Sequence, residues 1–522
     1  MKKAFTLALS LVMVLPAVAQ DTYESARLLG NDLNGTARYV GMGGAMEALG
    51  ADISTISTNP AGIGLFRHST ASLSFGMVSQ QDVQKFDGLN KTNMSFDQIG
   101  FVYACRTSPT SFINFGFNYH KSRNFDQILS AANSLSGCSQ NGLSYNKSAR
   151  GFYELDFNND GDIMGWDRDY RSQIYSQADY MNTNVLLYDP DDEYFYYNDA
   201  SRYTFDKAHR GWIANFDFNI SGNSNDRFYW GITVGVKDVR YKGYSEYGEE
   251  IVDSKGSCGS VAYGDERKIK GTGYDIKAGV IFRPIEESPF RIGLSVSTPT
   301  WYDLTSSNSS YMVNNTPYGA WDKGVSGESY DFYFYTPWKF GASIGHTFGT
   351  NIAFGLSYEY SDYGASKNRI IDGYDYYDNA ESSTDELMKR NTEKSLKGVH
   401  TLKAGLEFKP DPALAIRFGA NYISAAYDKN GMRDMTIDSP GVMYASTTDY
   451  TNWKDTYRLT AGLGYKIGGV NIDVAYQYST QKGDFYPFQP YVPEYSSKAV
   501  NTGVTDVKFN RHQVLLTLGY TF

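Results

Sequence analysis

From residue 69 onward, apolar and polar side chains alternate with period two in segments of about 10 to 18 residues, the spacing of strands with two unlike faces. The last segment is the cleanest. Val514, Leu516, Leu518, Tyr520 and Phe522 share one face; Gln513, Thr517, Gly519 and Thr521 share the other. The stretch 470–478 sets Val470, Ile472, Val474, Tyr476 and Tyr478 against Asn471, Asp473, Ala475 and Gln477, and 352–361 repeats the pattern from Ile352 to Ser361. Alternation alone does not separate a soluble sandwich, whose apolar face covers a core, from a membrane barrel, whose apolar face meets lipid.

The connections separate them. Fourteen strands are predicted, near 69–80, 95–106, 110–121, 209–221, 227–244, 266–283, 289–303, 332–348, 351–364, 396–409, 413–427, 454–466, 470–482 and 506–522. Tight turns fall at Arg106–Pro109, Gly222–Asp226, Pro284–Ser288, Gly349–Thr350, Pro410–Pro412 and Ile467–Gly469. Between them lie long polar connections at 81–94, 122–208, 245–265, 304–331, 365–395, 428–453 and 483–505, of which 122–208 is the longest. A strict alternation of short turns and long loops, over an even number of strands, is the mark of a bacterial outer-membrane barrel. The fold class is therefore all-β: a 14-stranded antiparallel transmembrane β-barrel occupying 69–522, with both chain ends on the short-turn, periplasmic side. Aromatic residues toward strand ends (Tyr119, Tyr229, Trp230, Tyr302, Trp338, Tyr360, Tyr422) suit membrane interfaces, and ordinary strand preference accounts for about half of them.

Composition agrees and narrows the function. The chain of 522 residues holds 44 Tyr, 30 Phe and 51 Gly, but 15 Pro and 3 Cys. Its mean hydropathy of −0.45 excludes a polytopic helical membrane protein, and no apolar run reaches the ~18 residues of a spanning helix. A net charge of −10 offers no basic footprint for nucleic acid.

Residues 1–19 read as a secretory signal peptide: Lys2 and Lys3, an apolar stretch from Ala4 to Leu15, and the small-residue site Ala17-Val18-Ala19 before Gln20. Their removal takes the net charge from −10 to −12. Together with the barrel this places the chain in the outer membrane of a Gram-negative bacterium. Cys105, Cys138 and Cys258 form no metal-ligand spacing; a Cys138–Cys258 disulfide and three unpaired thiols are both open.

Residues 20–68 do not alternate. They mix Gly, small residues and short helix-like pieces, and a 14-stranded lumen has room for a compact plug of that kind. The stretch Gly35-Thr36-Ala37-Arg38-Tyr39-Val40-Gly41-Met42-Gly43-Gly44-Ala45, followed by Ala51-Asp52 and Thr58-Asn59-Pro60-Ala61-Gly62, resembles the N-terminal region of FadL/TodX-type outer-membrane transporters. The resemblance extends to Thr336-Pro337-Trp338 and to the terminal aromatic Phe522, which looks like the signal read by the barrel-assembly machinery.

It implies an N-terminal hatch at 20–68, with Gly41, Gly43, Gly44, Asn59, Pro60 and Ala61 in the hatch motif. It also implies passive uptake of long-chain fatty acids or other hydrophobic compounds by a monomer in outer-membrane lipid, with hatch movement opening a gap beside a kinked strand. Gly116 in the third strand is the candidate kink. A greasy solute also needs an apolar capture groove outside, for which Tyr194 to Tyr197, Tyr330 to Tyr335, Tyr374 to Tyr377 and Phe485 to Phe488 are candidates; rings that only cap the rim are the plain alternative. An adhesin or structural barrel and a general porin are the alternative functions, and the charged lumen candidates Glu359, Arg417 and Asp473 suit all of them.

Two further motifs bear on cofactors and catalysis. Asp156, Asn158, Asp160, Asp162 and Asp167, with Gly161 at position 6, have the spacing of a calcium loop whose last ligand is the shorter Asp. A structural calcium and a solvated acidic turn both fit; no other cofactor is expected. Gly341-Ala342-Ser343-Ile344-Gly345 matches a nucleophile elbow by letters but lies in mid-strand, without the required strand–turn–helix. No enzyme activity is expected.

Overall fold

The structure, a computed structural model, describes residues 20–157, 163–166, 174–189, 194–377, 380–494 and 496–522. The signal peptide 1–19 lies outside them.

Fourteen antiparallel strands close into a ring. They are β1 (Thr70–Gln80), β2 (Thr92–Ser108), β3 (Ser111–Asn124, continued by Gln127–Cys138), β4 (Asp199–Ser224), β5 (Phe228–Asp253), β6 (Gly256–Phe282) and β7 (Arg291–Ser297 and Trp301–Asn315). The ring continues with β8 (Lys323–Tyr335 and Lys339–Phe348), β9 (Ile352–Asp362, extended by Lys367–Tyr374), β10 (Ala380–Thr384 and Gly398–Phe408), β11 (Leu414–Ile423), β12 (Tyr450–Ile467), β13 (Val470–Tyr486) and β14 (Thr505–Thr521). Each pairs with its sequence neighbour, and β14 returns to β1 in unbroken register from Thr70↔Thr521 to Gln80↔Arg511. In the half nearer the short turns every strand is paired on both sides, which is the requirement for crossing lipid with sheet.

The faces are inverted relative to a soluble sandwich. In β14, Gln513, Leu515 and Thr517 are buried while Val514, Leu516, Leu518 and Tyr520 face outward. The same inversion holds in β13, where Asp473 and Gln477 are buried and Ile472, Val474 and Tyr476 exposed. A register slip of one residue would exchange the two faces, so the polar lumen and apolar exterior fix the pairing. Trp338 and Tyr457 point outward about ten residues above the short turns, the strand length that crosses the hydrocarbon layer. Tyr229 and Tyr302, expected at the interface, instead have inward parity and are buried.

The long connection expected at 245–265 is strand. β5 and β6 pair from Phe228↔Phe282 to Asp253↔Gly256 with only Ser254 and Lys255 between them. At 26 and 27 residues, they project well beyond the membrane. The outward positions of this extension are charged, Lys242, Glu246 and Glu266 among them, so the segment reads as a polar loop. Its inward positions include Tyr241, Tyr247, Ile251 and Ile269, and also Glu249, Asp265 and Arg267, all buried.

The extended wall encloses a second apolar core built with the loop between β3 and β4. Helices α3 (Gln140–Ala149) and α4 (Gln177–Asn182), with the turn Thr183–Leu187 that follows, bring Leu143, Met181 and Val185 against Phe205, Tyr247, Phe485 and Phe488. Two of the expected capture stretches are therefore packed inside: Phe332, Phe334, Phe485 and Phe488 are fully buried. Tyr374, Tyr376 and Tyr377 are exposed toward the tip of the β9–β10 hairpin, the last two ring against ring. Cys105, Cys138 and Cys258 are all free thiols.

Candidate functional site: the hatch and the luminal cavity

Residues 20–68 lie inside the ring as four short helical pieces, and each starts where the sequence supplies a cap. Asp21 accepts from the amides of Tyr23 (2.8 Å) and Glu24 (3.0 Å) at α1 (Thr22–Ala26). Thr36 accepts from Tyr39 N (3.1 Å) at α2 (Ala37–Gly41). Asp52 accepts from Ser54 N (2.9 Å) before the 3₁₀ turn Ile53–Ser57, and Asn59 from Ala61 N (3.2 Å) before Pro60–Leu65. Pro60, at the first position of its turn, loses no hydrogen bond there because that N–H would be unpaired in any case.

Both motif elements rest on glycines of the wall. Gly405 and Gly419 are cross-strand partners on β10 and β11, and Met42 and Gly43 lie on them backbone to backbone. A Cβ on Gly43 would stand 2.8 Å from Ala420 N and 2.9 Å from Ala404 O, and one on Gly419 would overlap the Gly43 amide nitrogen. Gly43 also has φ +62°, which favours glycine. The row continues through Gly355 and Gly345, paired on β9 and β8, which meet Ala45, Ala48 and Leu49. Across the lumen, the paired Gly231 and Gly279 of β5 and β6 receive Pro60 and Asn59.

Charged contacts pin the hatch around these pads. Arg38 holds Glu407 with two nitrogens (3.1 and 3.2 Å), and Glu407 also accepts from Arg417 (2.6 Å), which reaches Asp473 (2.5 Å). Glu47 accepts from Lys403 (2.7 Å) and Ser357. At the loop end, Glu24 pairs with Arg267, and Arg433 reaches Asp21 (2.5 Å) and Glu24 (3.3 Å).

Between the hatch and the loops lies a cavity of about 280 Å³. Its lining mixes the apolar and aromatic side chains Leu29, Phe125, Tyr427 and Trp453 with Arg123, Arg458 and Arg511, which gather about Asp32; Glu359 and Asp449 also line it. Arg458 and Arg511 approach Asp32 at 3.4 and 3.3 Å. Burial would raise the Asp32 pKa, but the three guanidiniums and the Asn124 amide hold it well below the usual carboxylate range. The Nε atoms of Arg458 and Arg511 are buried without a hydrogen-bond partner. The arginine cluster about Asp32 thus has positive charge and donors to spare.

The structure places Gly41, Gly43 and Gly44 against one side of the lumen and Asn59, Pro60 and Ala61 against the other, all buried. At Gly116 the β3 ladder runs on unbroken, and Ile56 and Ile63 of the hatch lie against it; the register shift is beyond it, between Lys121 and Arg123. The wall is interrupted elsewhere, side by side at Thr298-Pro299-Thr300 and Thr336-Pro337-Trp338 of β7 and β8, with Thr336 Oγ1 accepting from Thr300 N (2.8 Å) across the break. Of the calcium-type loop, Asp156 sits in a short strand, Leu155–Phe157, and Asn158, Asp160, Asp162 and Asp167 lie outside the described residues. The wall glycines were not singled out from the sequence. Their signal is glycine recurring at inward parity within strands, where it is otherwise disfavoured.

No family model and no curated protein matches the chain. Solved structures do resemble it over nearly their whole length. A FadL homologue of Pseudomonas aeruginosa is 12% identical, covering 97% of this chain and 100% of its own, with a TM-score of 0.49. The toluene transporter TbuX of Ralstonia pickettii is 12% identical over 94% and 99% (TM-score 0.47), and the CymD monoaromatic hydrocarbon channel 10% over 95% and 99% (TM-score 0.49). The barrel itself stands on its own strand pairing.

Proposed function

We propose that the chain is an outer-membrane channel for passive uptake of hydrophobic compounds, gated by the 20–68 hatch, and that its preferred cargo is an amphiphile with an acidic head, a long-chain fatty acid being the simplest. The cavity supports this reading. A partly open space lined by aromatic and aliphatic side chains and by three guanidiniums gathered about Asp32 suits a tail and an anionic head together. Charge-assisted hydrogen bonds to such a head are worth about 1.5–3 kcal/mol each. The hatch fills the lumen beneath the cavity, so passage requires it to shift, and the glycine pads give it a flat surface on which to do so. A general porin is disfavoured by the same filling. The exposed tyrosines Tyr374, Tyr376 and Tyr377 favour the adhesin alternative as a second reading, in which the β9–β10 hairpin binds a partner.

The test is uptake of a labelled long-chain fatty acid and of a neutral aromatic hydrocarbon by cells with and without the gene, with barrel assembly checked by heat-modifiable gel mobility. Fatty-acid uptake should fall at least tenfold on deletion. Loss of hydrocarbon uptake alone would reject the acidic head group and keep the channel; no loss of either, with an assembled barrel, would reject transport of this class.

A further inference from the structure

Gln20 is fully buried, and both polar atoms of its side-chain amide, Nε2 and Oε1, lack a hydrogen-bond partner. It is also the residue directly after the cleavage site read from Ala17-Val18-Ala19. We propose that Gln20, once it becomes the mature N-terminus, closes on itself to a pyroglutamyl residue, and that the hatch is built to receive this uncharged lactam. The inference rests on the export reading.

A free N-terminus here would bury an ammonium group, which needs a counter-charge to be tolerated. The nearby carboxylates are already engaged. Asp21 gives one oxygen to Arg433 (2.5 Å) and the other to the amides of Tyr23 and Glu24. Glu24 is held by Arg267 and Arg433, and Asp385 accepts from Ser439 Oγ (2.5 Å) and Met388 N (2.9 Å). An added ammonium would find these three acids already paired or hydrogen-bonded. Space is short as well: a Cβ on Gly441, in the turn covering the hatch start, would stand 2.8 Å from the Gln20 carbonyl carbon and 3.1 Å from Asp21 N. Met388 lies one residue further on, with its Sδ 3.3 Å from Thr22 Oγ1.

Cyclisation removes the charge and one of the two orphaned groups in one balanced step. The α-amino nitrogen attacks Cδ of its own side-chain amide, the new C–N bond closes a five-membered ring, the Cδ–Nε2 bond breaks, and ammonia leaves. No oxidant or other reactant is consumed. The charge and the orphaned NH₂ donor disappear, leaving one ring N–H and one carbonyl. The step takes place on the exported chain before the barrel closes over residue 20, when the terminus is still accessible.

The test uses the full-length protein produced with its leader and isolated from the outer membrane. The protein is denatured, its free amines are acylated at once, and it is digested and examined by mass spectrometry. The expected N-terminal peptide begins at residue 20, carries no acyl label, is 17 Da lighter than the Gln form, and becomes labelled only after pyroglutamyl peptidase treatment. A peptide beginning with an acylated Gln20 would overturn the proposal while leaving export intact. A chain retaining residues 1–19, or beginning elsewhere, would overturn both.

Discussion

Gly43 of the hatch lies directly on Gly419 of β11, so closely that a single methyl group on Gly419 would overlap the Gly43 amide nitrogen. The plug is seated on the wall by absence of side chains, and salt bridges such as Arg38–Glu407 then hold it in register. Gly419→Ala is expected to lift the hatch and leave the barrel assembled. Overpacking of this kind costs about 1–3 kcal/mol, so cleavage of the hatch by an added protease should rise about tenfold at constant heat-modifiability. Gly519→Ala is the control, because the nearest atom to its Cβ would be 3.6 Å away. Equal protection of the two variants would show that the glycine pad does not seat the plug.

Asn59 is expected to contribute as a cap. Its Oδ1 accepts from Ala61 N (3.2 Å) and its Nδ2 donates to Val280 O (3.4 Å), joining the 3₁₀ turn to β6. Asn59→Ala should cost about 1 kcal/mol, a rise of about fivefold in hatch cleavage, and Asn59→Asp should recover most of it because the capping oxygen remains. If Asp recovered nothing, the bond to Val280 would be the one that matters.

The ring of fourteen strands was legible because inward and outward positions obey one parity and because the short turns sort to one end; both are local patterns. The β5–β6 extension was not legible. Beyond the membrane the outward positions no longer meet lipid, so Lys242 and Glu246 replace the apolar residues and the strand takes on loop composition. The hatch motif was visible as a run of glycines and an Asn-Pro-Ala element, but its seat was divided over Gly345, Gly355, Gly405 and Gly419 on four strands. Only the register brings these together. The cavity arginines were hidden for the same reason: Arg123, Arg458 and Arg511 are far apart in sequence and converge on Asp32, which itself carries no motif.

Those arginines make the proposed acidic head group testable. Arg458→Met and Arg511→Met each remove one guanidinium and leave Asp32 with other cationic neighbours. Each is expected to lower fatty-acid uptake by about tenfold, corresponding to one charge-assisted hydrogen bond, with hydrocarbon uptake unchanged. A parallel loss for both solutes would mean that the substitution disturbs the hatch and not head-group binding.

The last prediction concerns acid. Burial acts to raise Asp32 and Glu24, but arginines outweigh it and hold both below their ordinary values: Arg511, Arg123 and Arg458 for Asp32, Arg267 and Arg433 for Glu24. A depressed carboxylate contributes its full stability above the unfolded-state pKa, roughly 4, and loses it as pH falls from there toward the folded-state value. Hatch protection should therefore be flat between pH 8 and 5 and fall away only below about pH 4, as the two acids compete for protons. Glu24→Gln mimics one protonated acid at neutral pH and should loosen the loop end of the hatch, where Arg267 would lose its ion pair and Arg433 would keep only that with Asp21. Hydrogen exchange of residues 20–34, followed from pH 7 down to pH 3 with rates corrected for intrinsic exchange, measures this directly. Loosening already at pH 6 would place control with another group.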